Sequence, residues 1–226
     1  NREVTLARQR RNFLLSITHE LKSPIASVRL ILETLGKREL PREQLEKLCR
    51  SGLKDAGRLQ QLVEDLLLAA RLEDNWRPLS EPVDLPALAH SIVSGLRLRF
   101  PQANIRFDFP DDLPPVQADK SGLTAIVQNL LENAVKYSPE GALILLSALQ
   151  TDGRLHLQVA DQGHGIPDTE KQAVFEKFYR IGNEETRQAT GTGLGLYIVS
   201  QVVKAHGGTI RLTDNKPRGT VFTIEM

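Results

Sequence analysis

The strongest constraint on this chain is a helical rhythm that fills roughly its first 73 residues and then stops near a pair of prolines. Leu14, Thr18, Leu21, Ile25, Val28, Leu32 and Leu35 recur every three or four positions, the spacing of a coiled-coil seam. Gly36 and Pro41 interrupt it, and Leu45, Leu48, Gly52, Ala56, Leu59, Val63, Leu66 and Ala70 then restore it. Two long amphipathic helices with a short connection fold back into an antiparallel hairpin. A lone hairpin buries too little apolar surface to stand by itself, so the pattern predicts a second copy and a four-helix bundle homodimer. Pro24 falls inside the first helix, where proline costs about 3 kcal/mol. Its place five residues after His19 predicts a local bend there.

Between Asn75 and Pro82 the period is lost and two prolines appear, the mark of a linker. From Val83 onward the pattern is mixed. Helices are expected over 85–100, 121–137 and 194–206, and strands over 104–109, 116–118, 142–150, 154–160, 209–213 and 220–225. Thr151-Asp152-Gly153 is expected as the turn of a strand pair. Runs of both kinds in this order predict an α+β two-layer sandwich. The chain is therefore expected to divide into a helical unit at 1–74, a linker at 75–82 and a mixed unit at 83–226.

Charge narrows the partners. Twenty-nine basic side chains nearly cancel 28 acidic ones, which leaves no nucleic-acid footprint. Arg8-Gln9-Arg10-Arg11 is a local exception, expected as a solvated helix face. The single cysteine, Cys49, has no partner for an intramolecular disulfide, which fits a reduced, cytoplasmic setting. No run reaches the ~18 apolar residues of a membrane span. The sequence opens on Asn1 and is expected to be a soluble part of a longer chain, with any membrane attachment N-terminal to it.

Within the first helix, His19 is the residue to explain. At about 100° per residue it points roughly 150° away from the apolar seam. A histidine serving the core would share that seam. Glu20 follows it, and Ser23 lies one turn on over the same face. A neutral imidazole is a nucleophile near physiological pH, and a neighbouring carboxylate can orient it or take its second ring proton. An ordinary surface histidine is the competing reading at this point.

The mixed unit supplies three constellations. Asn129 and Asn133 share one helix face, which Lys136 approaches. Such a stripe is either solvated or lines a polar site, and asparagine oxygen suits Mg²⁺, which needs few protein ligands beside a phosphate. Asp161-Gln162-Gly163-His164-Gly165 follows a strand. Its alternate glycines allow a tight turn against a flat ligand, while its carboxylate can accept from an exocyclic amine; a plain Asp-Gly turn would explain only the first glycine. Phe175-Glu176-Lys177-Phe178-Tyr179-Arg180 precedes a polar stretch from Ile181 to Ala189, and Gly191-Thr192-Gly193-Leu194-Gly195 then opens a helix. Glycines at a helix start expose N–H groups to phosphate. The polar stretch predicts a lid, with Arg180 at its base.

In these motifs and their order the chain resembles the transmitter portion of bacterial sensor histidine kinases, over essentially its whole length. His19-Glu20-Leu21-Lys22-Ser23-Pro24 is similar to that family's phosphoacceptor box. Asn129 to Tyr137 is similar to its asparagine box, and Phe175 to Arg180 to its phenylalanine box. Asp161, Gly163 and Gly165, and again Gly191, Gly193 and Gly195, are similar to its two glycine boxes.

The resemblance implies a dimerization and phosphotransfer hairpin followed by an ATP-binding sandwich of the gyrase type. It implies ATP- and Mg²⁺-dependent autophosphorylation of His19, with onward transfer to an aspartate of a response regulator. Glu20 is the implied base, Asn133 the metal ligand and Asp161 the adenine ligand. Asn129, Lys136 and Tyr137 would surround the nucleotide together with Gly163 and Gly165. Arg180 would reach the γ-phosphate, and Gly191, Thr192, Gly193, Leu194 and Gly195 would approach the phosphates through backbone. The implied location is the cytoplasmic portion of an inner-membrane sensor. One position departs from the pattern: members with strong phosphatase activity carry threonine or asparagine where this chain has Ser23, which lacks the stiff β-branched rotamer. The rival readings are a regulator phosphatase and a nucleotide-binding scaffold without chemistry.

Overall fold

A computed structural model describes residues 2–37, 39–74, 76–181 and 192–226. The helical rhythm forms α1 (Arg2–Lys37) and α2 (Arg42–Glu73). α1 continues unbroken through Pro24, which is buried. The hairpin closes on a different row of side chains from the expected seam. Pro24 and Ile31 of α1 and Leu62 of α2 are buried, whereas Leu14, Ile25 and Leu32 are 63%, 53% and 62% exposed. Each helix carries an apolar stripe wider than one row, and the row one residue earlier, at 24, 31 and 62, is the one enclosed. Gly52 of α2 lies opposite Ile31: a Cβ there would sit in ordinary contact with the Ile31 side chain, at 3.7 Å.

The segment expected as a free linker is fastened to the mixed unit. Glu81–Val83 forms β1, which pairs antiparallel with β3 (Val116–Ala118). Trp76 packs on the core and meets the His206 ring at 5.9 Å. Asp119 ties the two together, accepting from Leu79 N at 3.0 Å and from Gly122 N at 2.8 Å. The second of these caps α4 (Lys120–Tyr137). Burial pushes the Asp119 carboxyl up, but the Ser121 hydroxyl and these two N–H groups outweigh it and leave it below the ordinary range.

α3 (Leu85–Arg99) starts on the Asp84 cap with Pro86 in its first turn. β2 (Asn104–Asp108), β4 (Leu143–Thr151), β5 (Arg154–Ala160), β6 (Thr209–Asp214) and β7 (Thr220–Glu225) build a sheet in the order β2-β4-β5-β7-β6. Among the described strands only the β2 and β4 pair runs parallel. Asp152 and Gly153 form the two-residue turn at positive φ, 54° and 75°, as a tight hairpin requires. Alternation along β4, β5 and β7 buries Ile144, Leu146, Leu155, Leu157, Val159, Phe222 and Ile224. These pack in one core with α3, α4 and α5 (Gly195–Ala205), giving the expected two-layer sandwich. A short 3₁₀ turn covers Ala173–Phe175.

The lower half of α2 lies against the sandwich. Ala69 is buried within its core, and Leu66, Leu68 and Leu72 pack on it. Lys177 pairs with Glu73 at the end of α2.

Candidate active site

His19 stands exposed on α1, as its phase predicts. Glu20 turns instead into the hairpin, where Arg58 Nη2 of α2 donates to its Oε2 at 2.7 Å. Its side chain is 12% exposed, so the carboxylate is anchored beside the histidine rather than free in solvent. Ser23 is exposed one turn on. Arg58 was not singled out by sequence, because a 38-residue separation leaves no periodic signal.

In the sandwich, the separate constellations converge. Asn129 donates from Nδ2 to Ala125 O at 2.9 Å, which turns its Oδ1 outward. That oxygen presses on the start of α5: a Cβ on Gly195 would lie 2.5 Å from it. The asparagine helix and the second glycine segment are therefore in direct contact, and glycine is what permits it. Asn133 is half-buried one turn further along α4. Lys136 Nζ lies 3.4 Å from Glu132 Oε2.

The Asp161 loop closes the other side. Asp161 is buried, and its Oδ1 accepts from Gly163 N at 2.8 Å and Thr220 N at 3.1 Å. Its Oδ2 accepts no hydrogen bond among the described residues and remains for a ligand. Burial pushes this carboxyl up, against the pull of the two N–H groups and His164. A Cβ on Gly163 would strike Tyr137 O at 2.8 Å, so this loop is seated on the end of α4. His164 meets the Tyr137 ring edge-on at 5.6 Å. Asn215 adds support that sequence did not reveal, donating from Nδ2 to Asp161 O at 2.6 Å.

The third segment is locked to the same place. Gly193 takes φ +72°, and a Cβ on it would lie 2.8 Å from Tyr179 O. Phe178 N donates to Gly193 O at 3.0 Å, and Phe178 itself sits at φ +70°. A bulky residue in that region costs about 1–3 kcal/mol and persists only where its surroundings enforce it. Thr192 Oγ1 accepts from Leu194 N at 3.3 Å, while Leu194 is fully buried. α5 has no side-chain cap, leaving its first N–H groups for an anion. Arg180 is half-buried. Residues 182–189 of the expected lid, with Thr190 and Gly191, lie outside the described residues.

Together these features make a cradle of backbone and amide groups with one buried carboxylate at its side. Glycines with no room for a Cβ, an uncapped helix start and an open Oδ2 fit a purine nucleotide. No cluster of His, Cys, Asp or Glu able to hold a metal occurs among the described residues. The side-chain oxygen of half-buried Asn133 is a hard ligand of the kind that suits Mg²⁺, which keeps most of its waters. No helix among the described residues is long and apolar enough to cross a membrane.

Comparison with known proteins matches two stretches of the chain to two families. Residues 9–75 match the His Kinase A (phospho-acceptor) domain, and residues 118–226 match the histidine kinase-, DNA gyrase B- and HSP90-like ATPase family. Over 226 aligned residues the chain is 37% identical to the signal transduction histidine-protein kinase/phosphatase MprB of Mycobacterium sp. (strain KMS), covering 96% of this chain and 43% of that protein. The solved structure of a mycobacterial sensor histidine kinase MprB is similar with a TM-score of 0.57 and 36% identity, covering 66% of this chain and 97% of that one. The Acinetobacter baumannii histidine kinase AdeS is similar over 92% of this chain and 96% of its own, with a TM-score of 0.61 and 26% identity. The chain spans about half the length of the curated relatives it matches.

Proposed function

Because the chain belongs to the sensor histidine kinases, we propose that it transfers the γ-phosphoryl group of ATP to His19 and then to an aspartate on a response regulator. The observation that carries this is the pairing of an exposed histidine on one unit with the Asn129, Gly195, Asp161 and Gly163 cradle on the other. Phosphoryl transfer makes little covalent demand on a protein, so alignment and charge stabilisation dominate. Asp161 Oδ2 would accept from the adenine amine. The first N–H groups of α5 and the glycines before it would face the phosphates. Asn133 would hold Mg²⁺, which when bound neutralises phosphate charge. Arg180 would add a cation at the γ-phosphate. Glu20, pinned by Arg58, would orient the His19 imidazole and take its proton, an effect of roughly 10²–10⁴ in rate for a positioned base.

The exposed rows on the hairpin support a homodimer. Leu14, Ile25 and Leu32 of α1, with Leu53, Val63 and Leu67 of α2, leave apolar stripes 47–74% exposed, and a second copy would cover them as a four-helix bundle. The test of the chemistry is direct. Incubated with γ-labelled ATP and Mg²⁺, the protein acquires acid-labile label, and His19→Gln abolishes it; label retained by that variant overturns the assignment. Relatives named kinase/phosphatase favour a second activity, removal of regulator phosphate, for which the exposed Ser23 is the residue to replace.

A further inference from the structure

The seam between α2 and α4 is polar in an unusual way, because two carboxylates share it. Gln128 Nε2 donates to Gln61 Oε1 at 2.6 Å and to Glu132 Oε1 at 3.3 Å, while Gln61 Nε2 donates to Asp65 Oδ1 at 3.0 Å. Arg99 of α3 and Lys136 both engage Glu132. Asp65 has no ion pair among the described residues; the charged groups facing it are Glu64 of α2, and Glu132 and Lys136 of α4.

The seam also sets where the nucleotide site rests. Arg58 marks the level of His19 through its bond to Glu20. At 1.5 Å per residue, Gln61 lies about 5 Å and Glu73 about 22 Å from that level along α2. Gln61 faces Gln128, and Asp65 faces Glu132, so α4 runs along α2 in the same direction. Asn133, Lys136 and Tyr137 are thereby carried further from the level of His19.

We propose that Gln61, Asp65, Gln128 and Glu132 form an intramolecular latch: with Asp65 uncharged the nucleotide unit stays parked on α2, and with Asp65 charged, the cost of burying that charge beside Glu132 releases it toward His19. The parked role rests on the function proposed above; the latch itself does not. Burial pushes the Asp65 carboxyl up to about 6, with Glu132 and Glu64 reinforcing this and the Gln61 amide and Lys136 opposing it. The docked carboxyl thus keeps a proton that the free carboxyl, at 3.8, releases. Acid favours docking, and docking weakens as pH rises from about 4 to about 6. Ionised Asp65 makes the dock ~100-fold weaker than a neutral side chain would. Of this, only about fourfold is spread between pH 5.5 and 8.

Spin labels on Lys54→Cys and Arg154→Cys, in a Cys49→Ser chain diluted with unlabelled copies, report docking as an interspin distance. At pH 7.5 Asp65→Asn shifts the ratio of docked to open populations ~100-fold toward docked, and its ratio no longer changes between pH 5.5 and 8. Gln128→Glu, which adds a third carboxylate, shifts it toward open. Label incorporation at His19 falls in Asp65→Asn while binding of a fluorescent ATP analogue is unchanged. Equal distance distributions for wild type and Asp65→Asn at pH 7.5, or equal pH slopes, overturn the latch. Tight docking of Asp65→Asn with unchanged labelling overturns the parked role. Distances that respond as stated in a chain that never labels His19 uphold the latch and count against the kinase reading alone.

Discussion

Replacing Gly195 by alanine tests whether the nucleotide cradle is built by contact between the asparagine helix and the start of α5. The added Cβ would stand 2.5 Å from Asn129 Oδ1 and 3.3 Å from its Cγ, inside the 3.5–4.0 Å or so at which carbon contacts are favourable. Asn129 must then turn away and lose its bond to Ala125 O, now 2.9 Å. Overpacking of this kind costs about 1–3 kcal/mol. Alanine in place of glycine returns up to about 1 kcal/mol within a helix, less at its first residue. The net expectation is a loss of about 1–2 kcal/mol, read as a lower urea midpoint at unchanged slope.

The same substitution in an Asn129→Ala background meets no amide oxygen and becomes neutral or mildly stabilising. The double-mutant cycle should therefore show coupling of about 2 kcal/mol. Nucleotide affinity falls in both single variants and is not rescued in the double. Two outcomes refute the reasoning: Gly195→Ala stabilising the otherwise unchanged protein, or additivity of the two substitutions to within about 0.5 kcal/mol.

Asp161→Asn keeps an oxygen for Gly163 N and Thr220 N, so calorimetry should find the fold within about 1 kcal/mol of wild type, while titration with ATP finds affinity reduced about 10- to 100-fold by loss of a charged hydrogen bond. Asp119→Ala removes the α4 cap and leaves Leu79 N unpaired, for about 2–4 kcal/mol together. The emission of Trp76, the only tryptophan, should shift to the red as its seat loosens. Because the Asp119 carboxyl is held below its ordinary value, its contribution is present above about pH 4 and disappears as pH falls through the lower folded value. The alanine variant should accordingly lose less stability than wild type on acidification below pH 4. Leu32→Glu with Leu53→Glu places charge on the exposed apolar rows; sedimentation should show monomers, and a persistent dimer would move the interface elsewhere.

The local elements were legible in the sequence because they depend on near neighbours. Asp152-Gly153 dictates a tight turn, and strand alternation marks the core face. The order of the motifs also points to the residues proposed to serve ATP. The three-residue strand β1 escaped notice, since Glu81-Pro82-Val83 has no period of its own and exists only by pairing with β3.

What the sequence alone determined is the long helices, the strands of the main sheet and the outward aim of His19. Tertiary structure decided the rest. An apolar stripe wider than one row does not say which row faces inward, so burial of Pro24 and Ile31 rather than Ile25 and Leu32 depends on how α1 seats against α2. Nor does a period encode pairings between side chains far apart in the chain. The bond of Arg58 to Glu20, the pressure of Asn129 on Gly195, and the two carboxylates facing each other from α2 and α4 arise only when separate elements pack. The chemistry of each group depends on those neighbours, through the charge it meets and the water it loses.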